Sequence, residues 1–283
     1  MSFGSRARAA MDAYGPVCVG IDPHASLLEA WGVGDTLDGL DRFAATCVEA
    51  FAGQVAFVKP QSAFFERFGS RGVAILERTL QDLRHTGTLT VLDVKRGDIG
   101  STAAAYAEAY LDEDSPMAAD AVTVSPFLGF GSLAPFLEEA EKNDAGVFVL
   151  ALTSNPEGPQ VQHALVQHGR PAGVPGRGRQ TGTVAGDVLA ALREANAGAT
   201  PMGSYGAVVG ATIGSTDEDL DVNGPLLVPG FGSQGGTVDD LRRIFDGVTR
   251  YVLPSTSRQV LQAGPDVAAL RDAAVAVNDS LQL

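Results

Sequence analysis

Apolar positions in this chain gather into short unbroken runs, each giving way to a turn and then to a stretch with helical spacing. The runs are VCVGID (17–22), VAFVKP (55–60), LTVLDVK (89–95), AVTVSP (121–126), VFVLALTSN (147–155), YGAVVGAT (205–212), LLVPGFG (226–232) and YVLPSTS (251–257). They lack strict apolar–polar alternation, which is the pattern of strands covered on both faces. Between and after them lie 40–52, 63–84, 99–111, 132–141, 181–197, 216–221, 237–245 and 266–281. All but the short sixth carry an apolar stripe of helical period. Strand and helix alternating eight times predict the α/β class and a (β/α)8 TIM barrel. An open doubly wound sheet fits less well, because no Gly-x-Gly-x-x-Gly turn follows the first run.

The length of 283 residues suits one barrel of about 250 residues plus an insertion, so 1–283 reads as a single domain. The rhythm breaks at 155–180, NPEGPQVQHALVQHGRPAGVPGRGRQ, which reads as a long loop inserted after the fifth strand and as a candidate lid. Its Arg170, Arg177 and Arg179 read as solvated loop charges, and its His163 and His168 lack metal-ligand spacing. With 45% hydrophobic residues there is material for a large core. The net charge of −14 argues against nucleic acid or an anionic membrane as partner. A small anionic ligand remains compatible, since a local Lys/Arg cluster outweighs a distant acidic background. Cys18 and Cys47 read as buried thiols. No apolar run has the length of a membrane span, and the N-terminus lacks a signal-peptide core, so a cytoplasmic enzyme is expected.

Chemistry concentrates in VLDVKRGDIGST (91–102). On a strand, Asp93 and Lys95 share a face roughly 7 Å apart along the backbone, and Asp98 falls just past the strand end. The trio fits a charged catalytic array. It fits equally a strand-end salt bridge with Asp98 as the N-cap of a helix beginning near Ile99. The remaining strand ends favour the array, because a barrel of this kind collects those ends around one site. Asp22 closes the first run, Lys59 the second, Ser125–Pro126 the fourth and Thr153–Ser154–Asn155 the fifth, while Arg258 follows the eighth. Charges ending apolar strands are costly unless paired or used. Period two puts Asp22, Lys59, Asp93 and Lys95 around the mouth, with carboxylates on both sides of each lysine. A lysine so held is a proton donor rather than a Schiff-base nucleophile. The turn PGFGSQGG (229–236), including Gly232 and Gly235, offers unobstructed backbone N–H groups and leads into a helix near Thr237. Its place on the seventh loop, with Gln234 and the nearby Arg258, predicts phosphate binding. His and Cys cluster nowhere, so neither a metal nor a cofactor is expected.

With these motifs in order, the sequence resembles the orotidine 5′-phosphate decarboxylase family, in its longer bacterial subfamily. The resemblance spans nearly the whole chain and rests on Asp93-x-Lys95-Arg96-x-Asp98-Ile99-x-x-Thr102, VGIDP with Asp22, FVKPQSAFFE with Lys59, LTSNP, and PGFGSQGG with Ser257–Arg258. It implies conversion of orotidine 5′-phosphate (OMP) to UMP and CO2 in pyrimidine biosynthesis, without cofactor, by a homodimer. It implies that Asp22 and Lys59 hold ribose hydroxyls, that Asp93 sits beside the substrate carboxylate, and that Lys95 protonates C6. Asp98 and Thr102 would complete the partner's site, with Ile99 beside them. Ser125, next to Pro126, and Ser154 would address the pyrimidine edge, and Gln234 and Arg258 the phosphate. The turn PSTSR differs from the tight Gly-Arg of that pattern, and the NPEGP stretch is left without a role. A magnesium-dependent sugar-phosphate decarboxylase or aldolase of related architecture is the rival reading, since it too would use an Asp-x-Lys-x-x-Asp element.

Overall fold

The computed structural model describes residues 1–167 and 181–281. Along the chain come β1 (Cys18–Ile21), β2 (Phe57–Pro60), β3 (Leu89–Arg96), β4 (Ala121–Val124) and β5 (Gly146–Leu152). An antiparallel pair follows, β6 (Leu165–Gln167) and β7 (Thr181–Thr183), and then β8 (Tyr205–Val209), β9 (Leu226–Pro229) and β10 (Val252–Thr256). All but the β6–β7 pair join in one closed parallel barrel, in which β10 returns to β1 with Cys18 opposite Ser255. The strands β1, β2 and β4 are buried at every position, as their unbroken apolar runs require.

Helices wrap the barrel. These are α1 (Phe3–Tyr14), α2 (Ala25–Ala30), α3 (Leu37–Phe51), α4 (Ser62–Glu66), α5 (Ser70–His85), α6 (Gly100–Leu111) and α7 (Ala134–Lys142). Beyond them lie α8 (Pro159–Gln162), α9 (Val184–Ala195), α10 (Val238–Ile244), α11 (Arg258–Leu261) and α12 (Val267–Ser280). Short polar side chains start several of them: Thr36 accepts from Gly39 N–H, Thr183 from Gly186 N–H and Asp266 from Ala269 N–H. Residues 210–225, between β8 and β9, form no helix, in keeping with the weak sixth pattern.

Four features depart from the sequence pattern. The N-terminal helix α1 carries no strong stripe, yet its fully buried Phe3 packs edge-on against Phe57 and Phe148 at ring distances of 6.5 and 6.1 Å. Both rings stand near the strand starts, so Phe3 closes the N-terminal mouth and leaves the opposite mouth for a site. Burying that ring contributes about 2 kcal/mol. The helix expected over 63–84 is two, because Gly69 at φ +67° breaks it in a left-handed turn that L side chains seldom adopt. Residues 181–183, expected to open a helix, instead form β7. The described part of 155–180 is not all loop, since it holds α8 and β6. Arg170, Arg177, Arg179 and His168 lie outside the described residues.

Candidate active site

At the C-terminal mouth of the barrel a cavity of about 330 Å3 is lined by Asp22, Lys59, Asp93, Lys95, Ser154, Gln234 and Arg258, drawn from six of the expected strand ends. At its floor stands Asp93, 6% exposed. Its Oδ2 accepts from Lys59 Nζ at 3.0 Å and from Gln61 Nε2 at 3.0 Å. Its Oδ1 accepts from Lys95 Nζ at 2.5 Å and from Thr123 Oγ1 at 2.8 Å. Taking charges out of water is tolerable only when geometry and hydrogen bonding are this complete. Burial opposes the charge of Asp93, yet Lys59 and then Lys95 outweigh it and hold the carboxyl far below its usual range. Burial likewise opposes the charge on Lys59, and Asp93 followed by Asp22 outweighs it, so Lys59 stays protonated beyond the ordinary lysine range. The cluster of two ammoniums and one carboxylate carries a net charge of +1.

The expected alternation of carboxylates and lysines forms only in part. Asp93 sits between the two lysines, but Asp22 makes no ion pair with Lys59, and its buried Oδ1 has no hydrogen-bond partner. The route by which Asp93 and Lys95 meet also differs from simple alternation. Opposite β4, Leu92 pairs with Val122 and Arg96 with Val124, so β3 carries four steps against two. This bulge is completed by Lys95 at φ +46°.

Around the rim, the side chains of Arg258 and Gln234 make no hydrogen bond or ion pair with any described residue. The glycine turn is organised differently from the expectation. The N–H of Gly232 donates to Gly236 O and that of Gly235 to Gly232 O, at 2.9 and 2.8 Å, so both are spent within the turn, and neither residue lines the cavity. Ser233 and Gln234 line it instead. The helix after the turn is a poor anion site, because Thr237 and Asp240 satisfy each other's backbone in a capping box and Asp239 and Asp240 put negative charge in its first turn. An anion at the rim therefore depends on loop backbone and Arg258.

Ser125, Pro126, Asp98, Ile99 and Thr102 do not line this cavity. Past Val124 the chain turns outward, with Gly129 N–H closing on Pro126 O and Phe127 76% exposed. Asp98 Oδ1 accepts from its neighbour Ile99 N–H at 2.8 Å, and Ile99 is 62% exposed. Asp98 is thus not the helix N-cap; Ile99 occupies that place without a side-chain bond. Conversely, the cavity includes His24, Gln61 and Thr123, which carry no charge pattern in sequence. The nearest signal was their adjacency to Asp22, Lys59 and the fourth strand end. Thr153, from the fifth strand end, lines it too, and Gln162 of α8 grips it through both its backbone N–H and its hydroxyl.

A parallel barrel with ionised side chains gathered at its C-terminal mouth and an unpaired arginine at the rim belongs to the class of barrel enzymes acting on small anionic ligands. The match is more particular than that. The model of the orotidine 5′-phosphate decarboxylase / HUMPS family matches residues 15–273, and the chain belongs to that family. An orotidine 5′-phosphate decarboxylase of a Nocardioides species is 62% identical over 281 residues, covering 99% of this chain and 98% of that one. Its namesake from Streptomyces coelicolor is 59% identical over 273 residues, covering 96% and 94%. A crystal structure of a Streptomyces avermitilis protein assigned the same name superposes with a TM-score of 0.92 at 56% identity, covering 99% and 95%. A structure of Leishmania donovani OMP decarboxylase gives 0.69 at 28% identity, covering both chains fully.

Proposed function

We propose that this protein decarboxylates orotidine 5′-phosphate to UMP. The observation that carries the reading is the Lys59–Asp93–Lys95 cluster sharing one cavity with an unpaired Arg258 side chain. In the reaction the bond from C6 to the carboxyl carbon breaks, CO2 leaves, and the electron pair stays on C6. Lys95 delivers a proton to that carbon and is reprotonated from solvent. Asp22 and Lys59, which both line the cavity, hold the ribose hydroxyls. Ser154 addresses the pyrimidine edge, and Gln234 and Arg258 the phosphate.

Magnitudes rank the contributions. Enzymes lower barriers by about 8–23 kcal/mol, and a carbanion without a delocalising cofactor needs the upper part of that range. Repulsion between Asp93 and the substrate carboxylate supplies about 4 kcal/mol at 4 Å and an effective dielectric near 20. Here it supplies less, because all four donors already draw on the Asp93 oxygens. The fixed ammonium of Lys95 acts where charge develops and ranks first. Phosphate contacts remote from the reacting bond rank second.

The working form is proposed to be a homodimer in which Asp98 and Thr102 of each chain complete the other's site, with Ile99 beside them. Three observations support this. The Lys95 side chain is 46% exposed and has a single carboxylate partner. Around the whole cavity the three cations Lys59, Lys95 and Arg258 exceed the two carboxylates Asp22 and Asp93 by one charge. The loops beyond β3 and β4 expose Ile99, Phe127 and Leu128. The chain is read as one domain with 155–180 inserted after β5. A cytoplasmic placement suits this biosynthetic activity, and no helix among the described residues is long and apolar enough to cross a membrane. The family match and the names of the relatives favour this reading over the magnesium-dependent alternative. The test is consumption of OMP, followed by absorbance with and without chelator. Turnover indifferent to chelator supports the reading, and turnover lost with the metal overturns it.

A further inference from the structure

Asp93 receives two donors that carry no charge, and the proposed reaction assigns neither of them. Thr123, 1% exposed on β4, stands opposite the bulge of β3, where regular ladder hydrogen bonds are missing. Its hydroxyl uses its whole capacity of one donor and two acceptors. It donates to Asp93 Oδ1 at 2.8 Å and accepts from Val94 N–H at 3.1 Å and Lys95 N–H at 3.0 Å. Lys95 Nζ donates to the same Asp93 Oδ1. A closed ring results, in which the backbone N–H of Lys95 binds Thr123, Thr123 binds Asp93, and Asp93 binds the ammonium of Lys95. The ring fixes both ends of a long, otherwise flexible side chain and holds Lys95 at φ +46°, a conformation that L residues seldom adopt. Gln61 fixes the other carboxylate oxygen. Although it is the N-cap of α4, its side chain makes no capping bond there and reaches Asp93 instead.

We propose that Thr123, with Gln61 in support, is a positioning residue that sets where the Lys95 ammonium meets the reacting carbon. This deepens the decarboxylase reading and rests on it. Displacing a reacting group by about 1 Å costs on the order of 100-fold in rate. The near-isosteric Thr123→Val removes the hydroxyl while keeping the β-branched packing, whereas Thr123→Ser keeps the hydroxyl.

The test measures kcat and KM for OMP, the affinity for UMP, and hydrogen exchange at the amides of Val94 and Lys95, in wild type and both variants. Thr123→Val is expected to lose about 100-fold in kcat, with KM and UMP affinity within about threefold, and to lose protection at both amides. Thr123→Ser is expected to restore kcat to within about threefold of wild type and to keep the protection. A kcat near wild type in Thr123→Val, an equal loss of UMP affinity, or failure of the serine to rescue overturns the proposal. Should Thr123→Val not fold, Gln61→Leu carries the test. A loss of about tenfold in kcat at unchanged KM supports the proposal, and an unchanged kcat overturns it. Wild-type protein that fails to turn over OMP overturns the functional reading alone, while amide protection still decides whether Thr123 pins residue 95.

Discussion

Replacing Asp93 by Asn removes one negative charge from between two lysines while keeping the side-chain shape. The ion pair with Lys59, at 3.0 Å and 6% and 8% side-chain exposure, is worth about 5 kcal/mol at an effective dielectric near 20. The pair with Lys95 is discounted to about 1 kcal/mol, because that side chain is 46% exposed and screened. Against these stands the regained solvation of Asp93, but Lys59 stays buried and now lacks its anion. The net loss is therefore expected at about 3–5 kcal/mol, the range for breaking a buried pair from one side. Its pH dependence follows from linkage. In wild type, Asp93 is held below its ordinary value, so its contribution is present above that value and lost only as pH falls through the folded one. Lys59 is raised above 10.5, so its contribution is present below 10.5 and lost as pH rises through the folded value. Wild-type stability is thus flat in these groups from about pH 6 to about pH 9. In Asp93→Asn, burial opposed chiefly by Asp22 alone is expected to pull the folded pKa of Lys59 below its unfolded value, so stability rises with pH. Guanidinium unfolding at about pH 6 and about pH 9 measures both, read by circular dichroism and by the fluorescence of the chain's one tryptophan, Trp31, which is 6% exposed. A loss below about 1 kcal/mol at the lower pH, or an equal loss at both, would show that Asp93 does not offset the buried charge of Lys59.

Three further outcomes follow from the same geometry. Arg258→Ala should lower kcat/KM for OMP by about 10- to 100-fold, the worth of one charged hydrogen bond, and an unchanged value would remove Arg258 from the phosphate site. Lys95→Ala and Asp98→Ala chains, each inactive alone, should recover about a quarter of wild-type activity when unfolded and refolded together, since half the dimers then hold one complete site. No recovery would contradict sharing across the interface. Cys18, which burial pushes up to about 12 against the opposing pull of Lys59, and the fully buried Cys47 should resist alkylation in the native protein and react on unfolding.

Much of this site is legible in sequence because it is expensive. Lys59, Asp93 and Lys95 stand out as charges ending apolar runs, and only pairing or use makes such positions tolerable. The barrel is legible for a related reason, since eight doubly covered strands must read as unbroken apolar runs. What the sequence conceals is neutral and cheap. Thr123 and Gln61 look like ordinary strand-end polar residues until the bulge of β3 against β4 and the bridge between residues 61 and 93 bring them onto Asp93. The bulge leaves no mark, because Lys95 is no glycine and nothing local announces a positive φ. The glycine turn misleads in the opposite sense. Its glycines suggest open amides, but Gly232 and Gly235 spend theirs inside the turn. Helix α1 escapes notice because its packing depends chiefly on Phe3, whose partners Phe57, Gly146 and Phe148 are far away in sequence.

The Lys95 ammonium, held against Asp93, is proposed to protonate the carbon that CO2 leaves. Single-turnover conversion of OMP to UMP by wild type and Lys95→Ala, in the presence of chelator, tests it most directly. Full conversion is expected of wild type, and a loss of at least about 10,000-fold of Lys95→Ala, with UMP still bound. Conversion by the variant within about tenfold of wild type would contradict it.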